Sequence, residues 1–199
     1  AKSGKHEMLK RITGAAIGAL LAVTGAALAQ TYPAKPITMI IPFAAGGPTD
    51  VLGRVMAQRM SELLGQQVVV ENVGGAGGMT GSKRVADAKP DGYTMVLGSV
   101  GTHAQNQTLY KRPLYNVVND FTPVAYLAIT PIALITRPDL PVKDFKEFIA
   151  YAKANQGKMQ FGSAGAGSAT HLGCVVLNSA MGTTITHVPY KGTGPAMQD

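Results

Sequence analysis

Two stretches of small residues carry the chemistry open to this chain. Phe43-Ala44-Ala45-Gly46-Gly47-Pro48-Thr49-Asp50 runs directly into an amphipathic stretch, and Ser163-Ala164-Gly165-Ala166-Gly167-Ser168 does the same ahead of Thr170 and His171. A helix N-terminus presents unpaired N–H groups and about half a positive charge. Glycine and alanine let a ligand approach those groups closely, which suits a carboxylate, sulfate or phosphate. Neither stretch contains Lys or Arg. An anion there would be held by backbone amides, by the hydroxyls of Ser163, Ser168 and Thr170, and by bridging water. Two such loops facing each other across a cleft would clamp both ends of a diacid. Each loop also reads as a tight strand-to-helix turn with no ligand, and the residues leave both readings open.

Other chemistries fail on detail. There is no G-x-x-x-x-G-K-[ST], and neither glycine-rich stretch at 74–80 or 162–170 completes G-x-G-x-x-G. Gly162-Ser163-Ala164-Gly165 is not the G-x-S-x-G elbow of hydrolases. Ser163 and His171, with Asp50, can be combined on paper as a hydrolase set, but nothing in their spacing fixes them together, so no catalytic residue is assigned. Asp50 beside a helix start reads as a cap or dipole partner. His103 and His187 stand isolated, and no H-x-x-x-H or C-x-x-C spacing implies a metal. No cofactor is expected. Cys174 is the single cysteine, so an intrachain disulfide is ruled out, and it reads as a buried structural thiol.

The elements that must position these loops follow from hydrophobic period. Ile37–Pro42 is a short apolar run and reads as a buried strand. Val51, Leu52, Val55, Met56, Met60, Leu63 and Leu64 recur at helical spacing, and Gly65 stops the helix. Strands at 68–70 and 93–97, with a helix over 80–88 between them, complete a βαβαβ unit, an α/β parallel sheet covered by helices. Near Ser99 the chain crosses into a second unit. There the pattern predicts a helix over 103–110, strands at 124–127 and 132–136, a helix to about Asn155, a strand at 159–162, a helix over 169–181, and a strand at 184–188. Pro189-Tyr190-Lys191-Gly192 then opens a last helix.

The chain has 199 residues, 24 of them glycine, and 46% are hydrophobic, enough to bury a core and too many for disorder. The net charge is +7. Lys2, Lys5, Lys10 and Arg11 against Glu7 supply +3 of it before residue 30, and the rest is spread thinly. No basic run with interleaved aromatics appears, so a nucleic-acid surface is not expected.

Lys10-Arg11, the apolar stretch from Ile12 to Val23 and Ala27-Leu28-Ala29 have the layout of a secretory signal peptide over 8–29, cut after Ala29. A periplasmic location follows. Residues 1–7 precede Met8 and are read as upstream or appended residues.

Several longer patterns then fall in order. They are Tyr32-Pro33-x-Lys35-Pro36-Ile37, Ile41-Pro42-Phe43-x-x-Gly46-Gly47-x-x-Asp50, Val70-Glu71-Asn72-x-x-Gly75-Ala76-Gly77-Gly78 and Pro90-Asp91-Gly92-Tyr93-Thr94. Asp120-Phe121-x-Pro123-Val124, Gly162-Ser163-Ala164-Gly165-x-Gly167-Ser168-x-x-His171-Leu172 and Val188-Pro189-Tyr190-Lys191-Gly192-x-Gly194-Pro195-Ala196 follow. Over residues 30–199 the chain resembles the solute receptors of tripartite tricarboxylate transporters, the Bug family. The resemblance implies a two-lobe periplasmic-binding fold of the type II, flytrap kind. Its first lobe would begin in 30–100 and its second lie in 101–199, incomplete at the C-terminus. It implies a small di- or tricarboxylate held by the Pro42–Asp50 and Ser163–His171 loops through main-chain amides and water. Ser99, Pro189 and Tyr190 are expected at the same site. It further implies a monomer that delivers its ligand to membrane permease subunits. Relatives of this kind continue beyond the point matching Asp199, so a truncated, non-functional fragment is the alternative expectation.

Overall fold

The computed structural model describes residues 31–199, so the signal-peptide expectation for 8–29 lies outside the described residues. Lys35–Asp199 forms one compact unit holding two parallel sheets.

The first sheet has the order β2-β1-β3, from β1 (Ile37–Ile41), β2 (Val68–Asn72) and β3 (Thr94–Val96). Ile37 pairs with Val68 and Thr38 with Thr94, so β1 is the central strand. That position explains its near-continuous apolar run, since a central parallel strand is covered on both faces. Ile37, Ile40 and Ile41 are fully buried.

Helix α1 (Pro48–Leu64) starts with proline in its first turn and ends at Gly65 in the left-handed conformation, as the sequence predicts. Its buried stripe is narrower than expected. Leu52, Met56, Ala57 and Met60 pack on Ile37, Met39 and Ile41, whereas Val51, Val55 and Leu63 lie exposed on another face. Gly53 lies at the contact: a Cβ there would sit 2.3 Å from Cδ1 of Ile41, so a larger residue would require the Ile41 side chain to shift.

After β2 a short 3-10 turn (Ala76–Gly78) leads into α2 (Met79–Ala86). After β3 the chain makes a π-helical turn (Gly101–Gln105) that runs into α3 (Asn106–Leu109). Helix α4 (Phe145–Asn155), β4 (Gln160–Ser163), α5 (Ala169–Met181), β5 (Thr186–Pro189) and α6 (Thr193–Ala196) complete the order. β4 and β5 pair in parallel, Phe161 opposite His187 and Ser163 opposite Pro189. Their core is Phe148, Ala152, Met181 and Ile185, with Leu140, Val142, Ile149 and Leu177 around it.

One expectation fails. The strands predicted at 124–127 and 132–136 do not form; the segment carries no regular structure. A strand exists through its partner's hydrogen bonds as much as through its own pattern. Among the described residues no strand pairs with this segment, and Val124, Tyr126 and Ile129 are more than four-fifths exposed.

Candidate functional site

Both glycine-rich stretches sit between the end of a parallel strand and the start of a long helix: 42–47 joins β1 to α1, and 164–168 joins β4 to α5. In a parallel α/β sheet this is the edge where ligands bind, because helix N-termini gather there.

The two loops are built differently. At the first, Gly47 caps α1 with extended backbone and no side-chain hydrogen bond. The first-turn amides of α1 are therefore left without a side-chain acceptor. Gly46 lies in the left-handed region at φ 86° and its N–H donates to Asp50 Oδ2 at 3.0 Å. Asp50 is 4% exposed and heads a small network. Arg54 Nε donates to Oδ2 at 3.0 Å and Asn72 Nδ2 to Oδ1 at 2.8 Å, while Asn72 Nδ2 also reaches the Phe43 carbonyl. Burial alone would raise the Asp50 carboxyl, but the hydrogen bonds from Arg54, Gly46 and Asn72 outweigh it and hold it below the ordinary aspartate value. Asp50 thus fixes the loop's shape, and its carboxylate oxygens are already engaged.

At the second loop the hydroxyls turn inward. Ser168, 1% exposed, caps α5 by accepting the His171 N–H. Thr170 Oγ1 accepts from the Ala164 N–H at 3.0 Å and lies 3.1 Å from Ser168 Oγ. Gly167 donates its N–H to His171 Nδ1 at 3.2 Å, and Gly165 donates its N–H to Ser163 Oγ. Gly165 and Gly167, at φ 115° and 77°, adopt conformations that disfavour side chains.

Ser163 pairs with His187, not with His171. Its Oγ lies 2.6 Å from His187 Nε2, across the β4–β5 pair, and Ser163 is 1% exposed. The His187 ring stacks on His171 with centroids 4.0 Å apart, and Phe161 lies against both rings, 5.0 Å from His187 and 6.5 Å from His171. Burial, and then the neighbouring His171, hold His187 below the ordinary histidine value. Ser163 is enclosed, which does not suit an attacking nucleophile. Cys174 is half-buried and burial pushes its thiol up, the opposite of an activated nucleophile.

The two loops come together through a third element that sequence reasoning used only in part. Pro189 is exposed and Tyr190 half-buried, with its hydroxyl donating to Asp199 at 2.6 Å. The residues just beyond them make the junction. Ala44 N–H donates to the Lys191 carbonyl at 2.9 Å. A Cβ on Gly194 would meet the Ala45 carbonyl at 2.6 Å, and one on Gly47 would meet Thr193 Oγ1 at 2.8 Å. From the other side, Gly77 packs on the second loop so tightly that a Cβ would lie 2.2 Å from the Ala166 carbonyl oxygen. The spacing Gly192-x-Gly194 was the available signal for this contact. Ser99 stays near β3, where its N–H donates to Thr102 Oγ1, and it is not among the residues that join the loops. Asn106 is the residue sequence reasoning missed: fully buried, it reaches the Gly77 carbonyl and abuts Gly167.

Among the described residues no group of three or more His, Cys, Asp or Glu could hold a metal, and no helix is long and apolar enough to cross a membrane.

Comparison with known proteins places this geometry. Residues 52–199 match the model of the tripartite tricarboxylate transporter family receptor. The chain is 45% identical over 170 residues to an Agrobacterium vitis UPF0065 protein and 40% identical over 189 residues to the protein BugT of Bordetella pertussis. These alignments cover 85% and 93% of this chain, but 49% and 58% of the relatives. The chain therefore spans about half the length of the curated relatives it matches. Among solved structures it is similar to the periplasmic binding protein BugD, at 43% identity and a TM-score of 0.76, covering 84% of this chain and 56% of that one. It is also similar to an R. palustris protein solved with adipate, at 37% identity and TM-score 0.81, and to MatC of Rhodopseudomonas palustris with bound malate, at 40% and 0.79. Those two alignments cover 84% of this chain, and 56% and 57% of the other chains.

Proposed function

This chain belongs to the tripartite tricarboxylate transporter receptor family, and on that premise we propose that it supplies the ligand-gripping half of a periplasmic receptor for a small di- or tricarboxylate. The observation that carries the reading is the meeting of two cation-free, glycine-rich strand-to-helix loops, with the first-turn amides of α1 left without a side-chain cap. Backbone N–H groups at a helix start are a ready anion site. The adipate and malate held by two similar structures are of the chemistry that such amides accept.

In this reading residues 30–100 begin the first lobe and 101–199 supply part of the second. Ala44 to Gly47 face one carboxylate, and the Ala164–Thr170 loop shapes the other end, with Ser163, Ser168 and His171 holding that loop from behind. The receptor leaves the cytoplasm by way of the 8–29 signal peptide and hands its ligand, as a monomer, to membrane permease subunits. Binding, not turnover, is its work.

Calorimetric titration with di- and tricarboxylates, each matched by its neutral ester, tests this. Saturable binding of an acid but not its ester, with the acid recovered unchanged, is expected. Equal binding of acid and ester, or chemical conversion of the acid, contradicts it.

A further inference from the structure

His171 makes two contacts that a proton would undo. It stands in the first turn of α5, and its Nδ1 accepts the Gly167 N–H at 3.2 Å. Only a neutral ring can do this, because an imidazolium carries N–H on both nitrogens and accepts nothing. The second contact is face to face: the His187 ring lies 4.0 Å away, tilted by 26°. Charge on both rings at that spacing is disfavoured.

Nothing nearby offers a proton on His171 a counter-charge. Helix α5 and strands β4 and β5 contain no Asp, Glu, Lys or Arg. Ile132 packs on α5 at Gly173 and comes from 121–136, a stretch without charge. Cys174 and Tyr110, whose hydroxyl donates to the Ala166 carbonyl, are both pushed toward their neutral forms by burial. Asp199 is engaged by the Tyr190 hydroxyl. Burial disfavours charge on His187, and His171 is the only charged group acting on it. The start of α5 adds a partial positive charge that opposes a cation in the first turn. Gly165 and Gly167, with no side chains to obstruct them, leave the loop free to rearrange once its amide is released.

We propose that His171 is a proton-operated latch on the second glycine-rich loop: neutral, it ties down Gly167, and protonated, it lets the loop go. Latching expels a proton, so the latched state gains as pH rises and is lost as pH falls through the histidine range, about 8 to 5. On the carboxylate-receptor reading, on which this second step rests, the ligand is gripped near neutral pH and loosened in acid.

The latch is read first without ligand, by NMR of the 15N-labelled chain. At about pH 7.5 the neutral His171 ring should carry its proton on Nε2, leaving Nδ1 bare. As pH falls to about 5, the Gly167 amide should follow a one-proton curve shared with the His171 ring. In His171→Gln, whose side-chain oxygen accepts without titrating, that amide should stay still. A proton on Nδ1, a Gly167 amide that does not respond, or one that changes only as the whole chain unfolds overturns the latch without touching the receptor reading. The wild-type spectra decide this even if the variant does not fold. Calorimetry with malate then compares the two chains at about pH 6.5 and 5.5. Wild type should lose about tenfold more affinity than His171→Gln, one proton per pH unit, with the ligand's own protonation cancelling between them. Equal losses overturn the coupling to ligand. A smaller loss in wild type also overturns it, and makes the imidazolium a charge partner of the ligand. Malate failing to bind at either pH overturns the ligand step together with the receptor reading for that acid, while the Gly167 amide still decides the latch.

Discussion

Ser163 Oγ and His187 Nε2 stand 2.6 Å apart across two neighbouring parallel strands, 24 residues apart in the chain. The pair braces the strand end from which the second glycine-rich loop springs. His187 in turn lies flat on His171, whose Nδ1 accepts the Gly167 N–H. One polar chain thus runs from the sheet to the loop, and its protonation matters.

His187 is held below its ordinary value by burial and by His171, and burial lowers His103 in the same sense. Both bind protons more readily unfolded than folded, so stability rises with pH across the interval just below about 6.5. Thermal melts should show Tm falling as pH drops from 7 toward 5. His187→Phe should flatten part of that slope; an unchanged slope would remove His187 from the account.

Asp50 has the opposite bearing. Its carboxyl is lowered, so the stability it contributes is complete above about pH 4 and drains as pH falls through the folded value. Asp50→Asn should cost about 1–3 kcal/mol in denaturant unfolding at pH 7, because the Arg54, Gly46 and Asn72 donors lose a charged acceptor. Arg54 is half in solvent, which keeps the effect toward the lower end.

Two glycines separate close approach from backbone strain. Gly77 and Gly182 have φ 61° and 67°, but a Cβ would strike Ala166 at the first and meet nothing within 4 Å at the second. Gly182→Ala should cost about 1 kcal/mol, the left-handed penalty alone, with ligand affinity unchanged. Gly77→Ala should cost about 2 kcal/mol or more and weaken carboxylate binding at least tenfold. Equal effects of the two on affinity would mean the loop junction does not shape the site.

The exposed apolar stretch at 124–135 should govern solubility. Val124→Lys with Ile129→Lys removes two residues that are 89% and 82% exposed, so light scattering on warming should fall while Tm stays within about 1 °C. A large drop in Tm would show that these side chains are packed after all.

What the sequence made legible was whatever local periodicity and glycine placement determine. The central strand Ile37–Ile41 announced itself by a near-continuous apolar run, and α1 by its period and by Gly65. Both loops were visible as small-residue turns between a strand and a helix. The segment 124–136 was misread because its pattern suits a strand, while strand formation depends on a partner that no pattern within the segment reveals. The exposed Val51 and Val55 show the same limit on α1, where two apolar stripes compete and the sheet chooses one. Ser163 with His187, and Asn106 with Gly77 and Gly167, were invisible because each joins residues that only strand pairing and loop packing bring together.

The central claim is that the uncapped amides at the start of α1 receive a carboxylate where the second loop packs against the first. Amide chemical shifts in a 15N-labelled chain, followed while a dicarboxylate is titrated, test it directly. The account predicts saturable shifts concentrated at Ala44–Gly47, the first turn of α1 and Ala164–Thr170. Shifts confined to other surfaces, or a folded spectrum that no di- or tricarboxylate perturbs, would contradict it.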